Sequence, residues 1–207
     1  MGVKAAVFDY GGVICFFPSS ENTAELGRLT GLDGETFREL NGAYRGEWDR
    51  GACDGVDFYR MMLSTRGIFP DVETLLHIAQ IDMDGWKRVN EGTVRLMRDI
   101  KAAGFNLGIL SNMPFDFLQW ARKNIAVFKE ADTSVFSCEQ RLIKPEPGIY
   151  KALKEKLNCE YHEIVFFDDL EKNVAKAEEL GILGFLWNGP EEARKILKSL
   201  GGGFSTL

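Results

Sequence analysis

Six side chains at four separated points of this 207-residue chain have the types that could assemble a reactive site: Asp9, Ser111 with Asn112, Lys144, and Asp168 with Asp169. Brought together, the three carboxylates repel one another, and relieving that repulsion calls for a hard cation held by oxygen, for which Mg²⁺ is the best fit. Lys144 adds a positive charge, and Ser111-Asn112 add a hydroxyl and an amide. Both suit the oxygens of a phosphate group.

The elements around these residues give a reason for them to meet. Residues 3–8 form a short apolar run closed by Asp9 and then Gly11-Gly12, the pattern of a buried strand ending in a turn. Similar runs at 105–110, 134–136, 164–167 and 184–187 predict four more strands, two of which end at Ser111-Asn112 and Asp168-Asp169. Amphipathic stretches over 93–103, 147–157, 170–180 and 190–200 predict helices between them, with Val94, Met97 and Ile100 on one face of the first. Gly104 and Gly181 are placed to end helices, and Pro190 to open one. This alternation predicts an α/β fold, a Rossmann-like parallel sheet core with helices on both faces. Ligands of such sheets bind beyond the carboxyl ends of the strands, where these polar residues would converge.

Residues 18–89 read differently. Leu26, Leu29, Phe37, Leu40, Tyr44, Trp48, Phe58, Met61, Met62, Leu75 and Ile78 recur at helical spacing, and no strand interrupts them. The expected division is a core of residues 1–17 and 90–207 and an inserted helical cap of residues 18–89 over the strand ends. The final stretch, Gly201-Gly202-Gly203-Phe204, reads as a fraying tail.

Bulk properties narrow the partners. A net charge of −6 gives the chain little electrostatic reason to seek nucleic acid or anionic lipid. No apolar run approaches the length of a membrane span, and Lys4-Ala5-Ala6-Val7-Phe8 lacks the layout of a signal peptide, so the expected location is cytoplasmic. Cys15, Cys53, Cys138 and Cys159 form no C-x-x-C pair and read as free thiols. There is no phosphate-loop motif of the NTPase kind, and no Cys–Arg pair at the spacing of a cysteine phosphatase. His77 and His162 have no nucleophile arranged beside them.

The chain resembles the haloacid dehalogenase-like hydrolases in four ordered motifs: Phe8-Asp9-Tyr10-Gly11-Gly12-Val13, Ile109-Leu110-Ser111-Asn112, Lys144-Pro145, and Phe166-Phe167-Asp168-Asp169 followed by Asn173. Its overall look is similar to the branch that includes glucose-1-phosphate phosphatases and the phosphatase domain of soluble epoxide hydrolases. The resemblance implies a Mg²⁺-dependent phosphatase acting on a small-molecule phosphate ester such as a sugar phosphate. Asp9 would be the nucleophile and would form an aspartyl-phosphate. It implies metal ligation by Asp9, the Gly11 carbonyl and Asp169, with Asp168 acting through water or orienting its neighbour. Substrate binding falls to Gly12, Ser111, Asn112 and Lys144, and Lys144 also neutralises charge on Asp9 and the phosphate.

Position 11 departs from the family pattern. Family phosphatases commonly carry a second Asp there as acid and base, whereas this chain has Gly11. A positioned acid–base group contributes about 10²–10⁴-fold to a rate, so another group, a water, or an acidic leaving group must substitute. Two alternatives stay open: a catalytically weakened phosphate-binding or regulatory module, and a metal-free dehalogenase suggested by Tyr10. Bland roles stay open too, with Asp9 in a turn, Asp168 as a helix cap, Lys144 solvated and Ser111-Asn112 in a turn before Pro114. In the cap, Tyr44, Arg45, Trp48, Asp49 and Arg50 could read the leaving group. The competing expectation is that the aromatic pair packs the cap core while the charged residues face solvent.

Overall fold

The computed structural model describes residues 2–207, the side chain of Thr206 excepted. The chain enters through strand β1 (Ala5–Phe8) and runs through a tight loop into four helices, α1 (Ser20–Thr30), α2 (Gly34–Asp49), α3 (Gly55–Ser64) and α4 (Val72–Gly85). It then alternates: α5 (Glu91–Ala102), β2 (Asn106–Ser111), α6 (Phe115–Asn124), α7 (Val127–Glu130), β3 (Thr133–Phe136), α8 (Ser137–Gln140), α9 (Pro147–Leu157), β4 (Ile164–Asp168), α10 (Glu171–Glu179), β5 (Leu183–Leu186) and α11 (Pro190–Ser199). The five strands pair in parallel in the order β3-β2-β1-β4-β5, so β1 is central, between β2 and β4.

Every residue of β1 is buried, as the unbroken apolar run requires of a central parallel strand. Its side chains alternate between two cores. Ala6 and Phe8 join Val94, Met97 and Ile100 of α5 and Phe117 and Leu118 of α6 on one face. Ala5 and Val7 join Ile149, Tyr150 and Leu153 of α9 on the other. The order of strand addition reverses about β1, with β2 and β3 laid to one side and β4 and β5 to the other, which opens a crevice at the strand ends beside it.

The four helices after β1 have a third core of their own, built on Trp48, Phe58, Tyr59, Met62, Leu63 and Ile78. Each begins with a capping side chain, Ser19, Asp33, Asp54 and Asp71 respectively, that accepts backbone N–H groups of the first turn. The two passages between this unit and the sheet run side by side: Phe16 N–H donates to Arg88 O at 2.9 Å and Asn90 N–H to Ile14 O at 2.8 Å. None of the described helices is long and apolar enough to cross a membrane.

The tail departs from its sequence expectation. Gly201 and Gly202 take positive φ values of 71° and 62°, a turn that brings Phe204 back onto the core. Phe204 is 1% exposed and stacks on Phe105 with ring centroids 3.6 Å apart. The segment is docked by one aromatic pair rather than frayed.

Candidate active site

Three neighbouring strands deliver the expected residues to one crevice. Asp9 follows β1, Ser111 ends β2, Asp168 ends β4 with Asp169 next to it, and Lys144 reaches in from the loop before α9. All six sequence-selected side chains, Asn112 included, lie together, with Asp168 at the buried base and the others around a cavity of about 400 Å³.

Lys144 organises the base. It is 2% exposed, and its ammonium group meets Asp168 Oδ2 at 2.5 Å, Asp9 Oδ1 at 2.9 Å and Leu110 O at 3.0 Å. Three donors therefore have three partners. Burial works against the lysine charge, yet the carboxylates of Asp9 and Asp168 outweigh it and hold the group above the ordinary lysine value. Asn112 is also engaged, accepting from Lys144 N–H at 2.8 Å and donating to Lys144 O at 3.1 Å. In this structure both residues position the loop and the carboxylates.

The carboxylates divide by how well they are satisfied. Asp168 is fully buried, and its Oδ1 accepts from Leu170 N–H and Asn173 Nδ2, both at 2.9 Å, so it braces the start of α10 and fixes Lys144. Asp9 Oδ1 accepts from Tyr10 N–H at 2.6 Å as well as facing Lys144. No residue other than Asp169 itself, through its own backbone N–H, is seen to donate to the Asp169 carboxylate among the described residues. Burial, opposed by Lys144 and reinforced by Asp168 and Asp169, pushes Asp9 up to about 7. Burial and then Asp168 push Asp169 up to about 6. One oxygen from each of Asp9, Asp168 and Asp169 lies within 4.8 Å of the others, which fits a small oxygen-ligated cation.

The loop after Asp9 needs its glycines for different reasons. Gly12 has φ 70°, and a Cβ there would stand 2.6 Å from Phe17 Cζ and 3.1 Å from Asp169 Oδ2, so the bare backbone lets the carboxylate approach. At Gly11 a Cβ would stand 3.3 Å from Cζ3 of Trp86, whose ring occupies the space a side chain would take. Tyr10 lies in the core and donates its hydroxyl to Trp86 O at 2.8 Å.

One face of α2 forms the opposite wall of the cavity, through Asn41, Arg45 and Asp49 at four-residue spacing. Trp48 is buried in the helical core, as expected, but Arg45 and Asp49 do not face solvent: their side chains are 20% and 13% exposed. Arg45 Nε donates to Asp49 Oδ1 at 2.9 Å and Nη1 to Asp82 Oδ2 at 3.0 Å. Tyr59 donates to the same Asp82 oxygen at 2.8 Å, and Trp86 Nε1 to Asp82 Oδ1 at 3.1 Å. Sequence reading missed Asp82 and Trp86. The available signal was an acid on the buried face of α4, one turn after Ile78. His77 and His162 are exposed and outside the cavity.

Comparison with known proteins gives a consistent answer. The profile of the haloacid dehalogenase-like hydrolases matches residues 3–181. Bifunctional epoxide hydrolase 2 of Sus scrofa is 25% identical over 226 residues, covering 98% of this chain, and the chain spans only 39% of that relative's length. A sesquiterpene phosphatase of Aspergillus oryzae is 25% identical over 183 residues, covering 87% of this chain and 88% of its own. Among solved structures, the magnesium complex of a HAD family enzyme from Bacteroides thetaiotaomicron superposes with a TM-score of 0.75 at 22% identity, over 95% of this chain and 98% of that one.

Proposed function

The chain belongs to the haloacid dehalogenase-like hydrolases, and we propose that it is a Mg²⁺-dependent phosphatase that hydrolyses a small phosphate monoester through an aspartyl-phosphate on Asp9. The observation that carries this reading is the charge imbalance at the strand ends: three clustered carboxylates against one lysine whose donors are already taken. Asp9 and Asp169 would hold the cation directly, with the Gly11 carbonyl as a further oxygen. Asp168, committed to Lys144, Asn173 and the backbone, would orient the set. Bound there, Mg²⁺ would screen the approach of one anion to another and withdraw charge from the phosphoryl oxygens.

The chain's own residues account for the remaining steps. Lys144 and Tyr10 N–H hold the Asp9 carboxylate at a fixed angle, and Ser111 offers a hydroxyl to the phosphoryl group from the end of β2. The free carboxylate oxygen of Asp9 attacks phosphorus as the ester bond breaks on the far side, and water then attacks the phosphorus of the aspartyl-phosphate. The leaving group would lie between Trp86, Met83 and Phe117 and the polar face of α2, a pocket suited to a small organic alcohol of mixed polarity. A sugar phosphate or a compact apolar phosphate both fall in that class. The dehalogenase reading is disfavoured, because a metal-free site would leave Asp9 and Asp169 raised by burial and by neighbouring carboxylates, with Lys144 offsetting only part of it.

Incubation with a panel of phosphate esters and chloroalkanoic acids, with and without Mg²⁺ and beside Asp9→Asn, tests the proposal. Metal-dependent phosphate release that Asp9→Asn abolishes is the expected result. Binding without turnover would instead favour the regulatory module, and metal-free chloride release the dehalogenase.

A further inference from the structure

Breaking a phosphate ester of an ordinary alcohol leaves an alkoxide unless a proton reaches the departing oxygen, so the leaving-group side of the cavity needs an acid. The loop beyond Asp9 supplies none. Tyr10 has its hydroxyl engaged by Trp86 O, Gly11 and Gly12 carry no side chain, and the Trp86 ring closes the space beside position 11. Of the other titratable groups on the cavity wall, Asp9 and Asp169 belong to the phosphoryl side and Lys144 has all its donors in use. Arg45 stays protonated at any working pH, and Lys172 is exposed. Asp49 remains.

Its placement suits the task. Asp49 ends α2 one turn beyond Arg45, which donates to Oδ1, while no donor among the described residues reaches Oδ2. Its backbone carbonyl accepts from Ser137 Oγ at 2.5 Å, and the same Oγ accepts from Met113 N–H at 2.8 Å. Asp49 thus stands two hydrogen bonds from the residue that follows Ser111-Asn112. The next residue, Arg50, grips Glu146 through two bonds of 2.7 and 3.1 Å, two positions beyond Lys144. Both loops that shape the phosphoryl side therefore fix the end of α2. The charged groups around the carboxyl are Arg45 on its own helix, Asp82 of α4 and Lys144 of the core. Burial raises its proton affinity, Arg45 and Lys144 oppose that, and Asp82 adds to it, for a net rise above the usual aspartate value.

Resting on the phosphatase reading above, we infer that Asp49 is the general acid and base of the reaction, supplied by the helical insertion. In the first half, the protonated carboxyl gives its proton to the ester oxygen as the phosphorus–oxygen bond breaks and Asp9 bonds to phosphorus. In the second, the Asp49 carboxylate takes a proton from water as the water oxygen bonds to phosphorus and the bond to Asp9 breaks. Inorganic phosphate leaves, and both aspartates return to their starting forms.

Rapid-mixing kinetics of Asp49→Asn with Mg²⁺, on an alkyl phosphate and on p-nitrophenyl phosphate, test the assignment. The alkyl ester should lose about 10²–10⁴-fold in the phosphorylation step, while the initial burst of p-nitrophenolate, whose departure needs no proton, stays within about 10-fold of the parent protein. Equal losses on the two esters, or an unchanged alkyl rate, overturn the inference. Asp49→Ser serves the same comparison if the amide variant does not fold. Parent protein that releases no phosphate would sink the phosphatase reading itself; parent activity that Asp9→Asn abolishes, with an Asp49→Asn effect blind to leaving group, sinks only the role of Asp49.

Discussion

Two buried charge clusters face each other across the cavity, and they are closed in different ways. At the strand ends, one lysine meets three carboxylates, and the neutral donors nearby, Tyr10 N–H, Leu170 N–H and Asn173, serve Asp9 and Asp168 but not Asp169. In the helical insertion, Arg45 meets Asp49 and Asp82, and the hydroxyl of Tyr59 and the indole of Trp86 complete Asp82. In the second cluster protein donors complete Asp82, and Oδ2 of Asp49 is left without a donor among the described residues. The first is left short of positive charge where a cation and an anionic ester would enter. Buried ions that lack full compensation are costly, so the shortfall marks the place where binding energy is to be gained.

The sharpest way to separate the clusters is by chemistry. Asp9→Asn should reduce turnover by about 10⁴–10⁶-fold without unfolding the protein, the scale seen when an enzyme nucleophile is removed, as measured by steady-state phosphate release. Removing the cation of each cluster comes next. Lys144→Met and Arg45→Met should each destabilise by about 3–5 kcal/mol, because each strands buried carboxylates. In urea titrations Mg²⁺ should restore part of the loss for Lys144→Met and none for Arg45→Met. An equal response to the ion would erase the distinction drawn here.

Smaller effects sharpen it. Tyr59→Phe removes a hydrogen bond to the Asp82 carboxylate and should cost about 1.5–3 kcal/mol, with no dependence on Mg²⁺. For pH the sign follows from raised carboxyl groups. Asp9 and Asp169 bind protons more tightly folded than unfolded, so the ion-free protein is favoured at low pH and loses that stability as pH climbs through about 6 and about 7. Added Mg²⁺ should therefore raise the melting temperature more at about pH 8 than at about pH 5, by about 2–4 °C for each kcal/mol of binding. A larger gain at the lower pH would contradict the account.

The strand-end cluster was largely legible in the sequence, and the helical one was not, for a physical reason. A parallel strand announces itself as a short apolar run, and whatever polar residue stops the run is carried to the carboxyl edge, so Asp9, Ser111 and Asp168 could be placed without knowing any contact. Helical periodicity tells which face is buried but not which helix it meets. The pairing of Arg45 with Asp82, 37 residues away, is set by how α2 and α4 pack around Tyr59. The Trp86 ring beside Gly11 joins residues from two separate passages of chain, which local pattern cannot reveal. The tail departs from expectation because three glycines suggest fraying, whereas here Gly201 and Gly202 supply the positive φ values that return Phe204 to the core.

The most direct test asks where the phosphoryl group goes. Protein stopped during turnover of a phosphate ester, reduced with borohydride and mapped by peptide mass spectrometry should carry a modified residue at position 9, formed only when Mg²⁺ is present. Full turnover with position 9 unmodified, or trapping at another side chain, would contradict the assignment of Asp9 as the nucleophile.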